Sequence, residues 1–487
     1  MGLSLFRSRL GQIVFVLVIF ALAITACGDD DKKEDNTSSD SGGVSSPAPT
    51  AWKSVTTTEL YSMLVPKIAA AYPDLMGTED SEERGYINSW TLSPDGAKLF
   101  MLLNVRDADP EMNTCLYTLA DEALVCRPFQ SPVRLRDLPE GRVAWAPDND
   151  HIITHYDWMI YADDPDLILL ETSTGLGVVV TEDRYYGSLH NNDDESFFMD
   201  YAPFWAPDSQ SIYFFRVALP VEDAWGDHLQ LMNIKLDGAE TTLVADLSGV
   251  IEGHTFGNPQ HVAVSPDGKQ VVIATSDVSQ QPRPANIWRV DLTTGKAEIW
   301  VSNETITQAL VPTWSEDPGF YPQDVIWTAD GRYVVVAFDS QMRQAYASRL
   351  DEVPPANYLI IEAASGQTKA LVDVSQFPDQ ATYANLGGFY QFAPLFGLLT
   401  SDSQLIYATS EQGEGDTRTT TLWSVPLTLD AEPVKLATLD LASRFLADPR
   451  SSLGDRRLGT IAANGVAFVQ SARPGIPDGA YLLQFAE

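Results

Sequence analysis

The chain is poor in cysteine, in histidine and in positive charge. Its three cysteines are Cys27, Cys115 and Cys126, which leaves room for one processed cysteine and one disulfide and for nothing larger. Lys and Arg number 31 against 67 Asp and Glu, for a formal net charge of −36. A field of that sign repels polyanions, and no nucleic acid is expected as a partner. Histidines number six and form no metal motif. No cysteine or tight acid spacing joins His254 and His261, and His151 and His155 stand four apart on a strand rather than on a helix. Asp107 with Asp109, and Asp193 to Glu195, carry oxygens suited to Ca²⁺ but lack the graded spacing and glycine of a calcium loop. No cofactor is expected. A G-x-S-x-G elbow, a Walker loop and a dinucleotide fingerprint are also missing.

The N-terminus carries an address. Arg7 and Arg9 precede the apolar run Ile13 to Ile24, which is short for a membrane span and ends in small residues before Cys27. Residues 1–26 are therefore expected to be a signal peptide. Ile24, Thr25, Ala26 and Cys27 match in order the lipobox of bacterial lipoproteins, which this start resembles. The resemblance implies that Cys27 is acylated and becomes the new N-terminus, anchoring the protein to the bacterial cell membrane or envelope with its folded part outside the cytoplasm. Residues 27–51 are rich in Asp, Ser, Gly and Pro and are expected to be a flexible tether.

Residues 52–85 form an N-terminal segment, partly helical or ring-closing. Thr56 and Glu59 have capping-box spacing, and Leu60, Leu64 and Ile68 share a helical face. Pro66 is expected to break or kink that helix. Alternatively, part of Trp52 to Thr58 is a strand that completes the fold described next.

From residue 86 onward one pattern repeats. Val262 to Thr275 reads VAVSPDGKQVVIAT: an alternating strand, the turn Ser265 to Gly268, and a second apolar strand. Pro266 presets a corner, Asp267 accepts a local backbone bond and Gly268 supplies positive φ. The same turn occurs at Ser93 to Gly96, Ala146 to Asn149, Ala206 to Ser209, Thr328 to Gly331, Thr400 to Ser403 and, most eroded, around Asn464 and Gly465. Asn149, Ser209 and Ser403 replace the glycine, so slightly different turns are expected there. A second hairpin follows most copies, as in Asn286 to Val301. Two hairpins make a four-stranded antiparallel sheet that must pack against copies of itself to bury both faces. The expected fold is all-β, a propeller of about seven such blades over residues 86–487. The repeats resemble those of the TolB-type, WD-repeat-like β-propeller family.

Cys115 and Cys126 fall in the second hairpin of the first blade. If Ala120 and Asp121 form a two-residue turn, Leu119 faces Glu122 and the cysteines face each other, within reach of a disulfide. The longest loops gather on the face opposite the repeated turns, and they carry the candidate ligand residues: Tyr185, Tyr186 and His190 in Glu182 to Phe204; Trp314 and Tyr321 in Asn303 to Gln323; Tyr383, Phe389 and Tyr390 in Ser375 to Pro394. Aromatics beside acids suit a glycan, a peptide or a cationic group. The leading expectation is a monomeric binding module at the cell envelope, with another envelope protein, a peptide or a glycan as partner. The family resemblance adds that TolB-type propellers often act as protein-interaction platforms. The alternatives are a propeller hydrolase or lyase acting on sugars or lactones in the central channel, and a structural spacer.

Overall fold

The computed structural model describes residues 52–76, 86–105, 112–130, 144–155, 167–181, 197–219, 229–236, 240–251, 261–276, 284–310, 319–340, 357–371, 396–412, 418–439, 458–470 and 480–486. No described helix is long and apolar enough to cross a membrane. The chain opens with strand β1 (Ser54–Glu59), helix α1 (Leu60–Ala71) and one helical turn, α2 (Pro73–Met76). Blade 1 is β2 (Tyr86–Leu92), β3 (Lys98–Asn104), β4 (Met112–Thr118) and β5 (Leu124–Pro128). Blade 2 is β6 (Ala144–Trp145), β7 (His151–His155), β8 (Leu167–Glu171) and β9 (Leu176–Val179). Blade 3 is β10 (Phe197–Trp205), β11 (Ser211–Leu219), β12 (Leu229–Lys235) and β13 (Thr241–Asp246). Blade 4 is β14 (Val262–Val264), β15 (Gln270–Ser276), β16 (Ala285–Asp291) and β17 (Ala297–Val301), followed by α3 (Asn303–Leu310). Blade 5 is β18 (Phe320–Trp327), β19 (Tyr333–Ser340), β20 (Asn357–Glu362) and β21 (Thr368–Ala370). Blade 6 is β22 (Gly397–Leu399), β23 (Gln404–Gln412), β24 (Arg418–Pro426) and β25 (Val434–Leu439), and β26 (Leu458–Thr460), β27 (Val466–Gln470) and β28 (Ala480–Ala486) begin blade 7. Each sheet keeps chain order and antiparallel pairing within its blade, and the seven form a β-propeller.

The second strand of each blade explains why. In β15, Val271 and Ile273 pack toward blade 3 while Val272 and Ala274 pack toward blade 5. In β3, Leu99, Met101 and Leu103 face blade 7 and Phe100 and Leu102 face blade 2. A strand that is apolar on both faces reads as an unbroken hydrophobic run and needs a neighbour on each side. The apolar clusters accordingly lie at the seams between successive blades, one for each of the seven. The first strands touch one another, β6 with β10, β10 with β14 and β14 with β18, and so form the inner ring.

The last blade is closed by the first strand. β1 pairs antiparallel with β28, from Ser54 opposite Ala486 to Glu59 opposite Tyr481. The inner strand β26 leans the other way and pairs in parallel with β22 of blade 6. Gly397 permits that approach, since a Cβ there would lie 2.8 Å from Leu458 Cδ2.

The N-terminal segment is thus strand and then helix. Thr56 sits on β1, so no capping box forms; the Glu59 carboxylate itself caps α1, accepting from the N–H of Tyr61 at 2.8 Å and of Ser62 at 2.6 Å. Pro66 lies inside α1 without ending it. Its face is exposed, and burial of Leu60, Leu64 and Ile68, each 0% exposed, holds the helix across it.

The turns that lack glycine match the others. φ is 63° at Asn149, 58° at Ser209 and 60° at Ser403, against 69° at Gly96 and 68° at Gly268. Two of the substituted side chains bind the preceding blade's turn: Asn149 Oδ1 accepts from the Asp95 N–H at 3.0 Å, and Ser403 Oγ donates to Asp330. The bond across the seam offsets the strain that a Cβ meets at positive φ. Asn149→Ala keeps the strain and loses the bond, so a cost of about 1–2 kcal/mol is expected in urea unfolding, with Asn149→Gly nearer neutral.

The β4–β5 turn is wider than two residues. The Thr118 N–H bonds to the Ala123 carbonyl at 2.9 Å, leaving Leu119 to Glu122 as a four-residue loop with Glu122 at φ 55°. The Leu119 N–H is drawn instead to the Ala97 carbonyl of the neighbouring turn. The register nevertheless keeps Cys115 opposite Cys126, and the two form a disulfide.

Candidate functional site

The two ends of the blades differ. At one end lie the repeated turns, each fixed by its own acid or amide. Asp267 Oδ1 accepts from the Ser265 hydroxyl at 2.6 Å and from the Lys269 N–H at 3.1 Å. The backbone bond recurs at Asp95, Asp148, Asp208 and Asp330, and the hydroxyl bond at Asp95 and Asp330. Partial burial pushes the Asp330 carboxyl up, but hydrogen bonds from Ser403, Thr328 and Arg332 outweigh it and hold it down at about 2. Hydrogen bonds from Ser265 and the Lys269 N–H likewise lower Asp267. These carboxylates are committed to structure. A carboxyl lowered in the folded state adds stability above its unfolded value of about 3.9, and that stability disappears as pH falls toward the folded value. The melting temperature is expected to fall between about pH 4 and pH 2, with a shallower fall in Asp330→Asn; equal slopes would contradict this.

Away from those turns, the strands carry buried polar groups. Asp200 on β10 is 2% exposed and stands directly opposite Arg216 on β11. The pair is bidentate, with Arg216 Nε at 2.7 Å from Oδ1 and Nη2 at 2.6 Å from Oδ2. The guanidinium lies over the Phe214 ring. Next to Asp200, burial pushes the Tyr201 hydroxyl far up, so it stays protonated. His261, 5% exposed, stands at the head of β14 in blade 4. In blade 5, Gln323 and Asp324 are 4% and 3% exposed. Asp324 accepts from the Val325 N–H at 2.8 Å and, across to blade 7, from the Leu458 N–H at 2.9 Å.

Backbone irregularity accompanies these residues. Strand β18 shifts register between Pro322 and Asp324, and β10 between Tyr201 and Phe204, where Ala202 takes φ 53°. Bulges re-aim side chains and recur beside functional sites. The first strands of blades 3 and 5 and the head of β14 in blade 4 thus give this end carboxylate acceptors and an imidazole, and the second strand of blade 3 adds a guanidinium. Such a set suits a ligand rich in hydroxyl or amide groups. No group of three His, Cys, Asp or Glu among the described residues is placed to hold a metal.

Most aromatic candidates lie outside the described residues: Tyr185, Tyr186, His190, Trp314, Tyr383, Phe389 and Tyr390. Tyr321 is on β18 rather than in a loop, beside Phe320, which is buried in the blade 4–blade 5 seam. The long segments are also partly ordered elements. Asn303 to Leu310 is helix α3, with Ile306 and Leu310 buried, and Phe197 to Phe204 belongs to β10. His254, Asp107, Asp109 and Asp193 to Glu195 also fall outside the described residues. His151 is tied to its own turn, with Nδ1 2.9 Å from Asp148 Oδ2. Asp200, Arg216 and Asp324 were not singled out from sequence, although one signal was present: a lone charge within an apolar strand, as in FFMDYAPFW and SIYFFRVAL.

No known protein family matches the chain, and no curated protein matches it. Similar solved structures include dipeptidyl peptidase 4 of Porphyromonas gingivalis, at 12% identity and TM-score 0.43, covering 80% of this chain and 50% of that one. An oligogalacturonate lyase from Vibrio parahaemolyticus is 12% identical at TM-score 0.35, covering 84% and 99%. Hydrazine synthase of Kuenenia stuttgartiensis is 16% identical at TM-score 0.39, covering 71% and 79%. Likenesses this distant carry no activity to this chain, and its propeller is defined by its own seven sheets.

Proposed function

We propose that the chain is an exported propeller, held at a membrane by lipid on Cys27, that recognises a polar ligand on the face opposite the repeated turns. One observation carries the recognition reading. The interior is apolar along the seams, yet at that end it holds Asp200, Arg216, His261 and Asp324 in place of aliphatic groups, and burying charge carries a desolvation cost that pairing does no more than offset, whereas aliphatic groups would carry none. A glycan or a peptide fits the donors and acceptors available. A screen of glycans and envelope-protein peptides against the intact protein tests it. Binding that is lost in Asp324→Asn with stability retained is the expected result; binding indifferent to Asp324, Asp200 and Arg216 would place recognition elsewhere.

A second reading is turnover at the same end. Two carboxylates and an imidazole on neighbouring inner strands are the groups that general acid–base chemistry uses. Mass analysis of any bound glycan after incubation separates the readings, since a binder returns it intact. For the anchor, Cys27→Ser is expected to shift the protein from the membrane fraction to the supernatant. Retention of the variant in membranes would overturn lipid attachment.

A further inference from the structure

The seam between blade 7 and blade 1 is where the ring closes, and it holds both a helix and a disulfide. Its apolar cluster holds Leu60, Leu64 and Ile68 of α1, Val466, Ala480 and Leu482 of blade 7, and Leu99, Met101, Tyr117, Cys115 and Cys126 of blade 1. Helix α1 thus fills the closing seam, and the disulfide lies in the floor on which it rests. The same floor makes polar contacts to the helix. Lys67 pairs with Glu122 in the β4–β5 loop, and its ammonium lies 5.6 Å from the centre of the Tyr117 ring.

Closure and docking are one continuous device. Glu59 is both the last residue of β1 and the cap of α1, so the strand that zips onto β28 cannot shift without the helix. Neither element has much stability of its own. A 12-residue helix with a proline inside it is too short to persist undocked, and β1 is an edge strand. The floor is itself an edge. Within β5 the burial pattern leaves Cys126 as the one buried residue, so the disulfide is the main side-chain hold of that strand on β4.

We propose that the Cys115–Cys126 disulfide is a redox latch: oxidised, it keeps α1 docked and β1 closing the ring; reduced, it frees the β1–α1 segment and opens the seam between blades 7 and 1. The reductant is a dithiol. Its thiolate attacks the Cys126 sulfur, on the outermost strand and the more exposed of the two, at 9% against 0% for Cys115. The sulfur–sulfur bond breaks, and the electron pair leaves on Cys115, which takes a proton. The second thiol of the reductant then closes on the first and releases Cys126 as a thiol, so two electrons and two protons pass from reductant to protein.

Hydrogen exchange on the full chain, with and without dithiothreitol, tests the latch. Reduction is expected to speed exchange across residues 54–71 by about tenfold or more while β15 and β19 in blades 4 and 5 stay within about twofold, and reoxidation should restore protection. Cys115→Ser with Cys126→Ser should show the fast pattern without reductant; if that variant does not fold, the reduced wild-type protein gives the same readout. Leu102→Ala weakens blade 1 on its other face, toward blade 2, and should leave residues 54–71 protected. No change at 54–71 on reduction, or equal acceleration in β15 and β19, would overturn the proposal, the second by making the disulfide a general staple.

Discussion

Arg216→Ala is expected to destabilise the protein by about 3–5 kcal/mol in urea unfolding, among the largest effects of any single change. Asp200 is 2% exposed and accepts two short bonds from Arg216 across the β10–β11 ladder. Deleting the guanidinium takes the countercharge and two short bonds from a buried carboxylate, whereas replacing both members removes the charge altogether. Asp200→Leu with Arg216→Met should therefore recover most of the loss, because well-packed apolar groups often match a buried ion pair in stability. The double variant also separates stability from function. If the pair serves recognition, the rescued protein folds and does not bind. A cost under about 1 kcal/mol for Arg216→Ala would mean that the pair is solvated, as surface pairs are.

Leu64→Asp should be nearly as damaging, at about 3–5 kcal/mol, through a different route. Leu64 is 0% exposed at the centre of the α1 face, with Leu60 one turn before it and Ile68 one turn after. An aspartate there puts a charge among Leu60, Ile68 and the apolar floor, and Lys67, three residues on, is already paired with Glu122. The helix should detach, and β1 should lose its hold on β28 with it. Leu64→Ala, which leaves a cavity rather than a charge, should cost about 2–5 kcal/mol. Chemical unfolding followed by both tryptophan fluorescence and circular dichroism measures the cost and shows whether the ring still unfolds as one unit. A cost under about 1 kcal/mol for Leu64→Asp would show that α1 is an ornament on a ring that closes without it.

The propeller was legible in the sequence because its signal is local and repeated. Each turn needs an acid or amide to accept backbone N–H groups and a residue that tolerates positive φ, and Ser265 to Gly268 states both requirements in four letters. The cysteine pairing was legible for the same reason, since two strands and a short loop fix it, and a loop of four residues instead of two leaves the register unchanged. What was not legible was long-range. Thr56 to Glu59 spells a capping box, but the six-pair ladder to β28 at the far end of the chain prevailed over local helix propensity. Asn149 and Ser403 looked like eroded glycines because their partners, Asp95 and Asp330, belong to other blades. The Asp324 link to the Leu458 N–H spans 134 positions of sequence and leaves no local mark. The candidate site suffered most. Aromatic residues stood out in the long segments, whereas the buried charges were single letters inside apolar strands.

The most direct test of ring closure by the N-terminal strand is a disulfide cross-link between Thr56→Cys and Gln484→Cys in a Cys27→Ser background. The two positions face each other in the β1–β28 register, and both are exposed. Mass mapping after mild oxidation should find nearly complete intramolecular linkage for this pair and little for Thr56→Cys with Ala486→Cys, two residues out of register. Equal yields from the two pairs, or no link in either, would contradict closure of the seventh blade by β1.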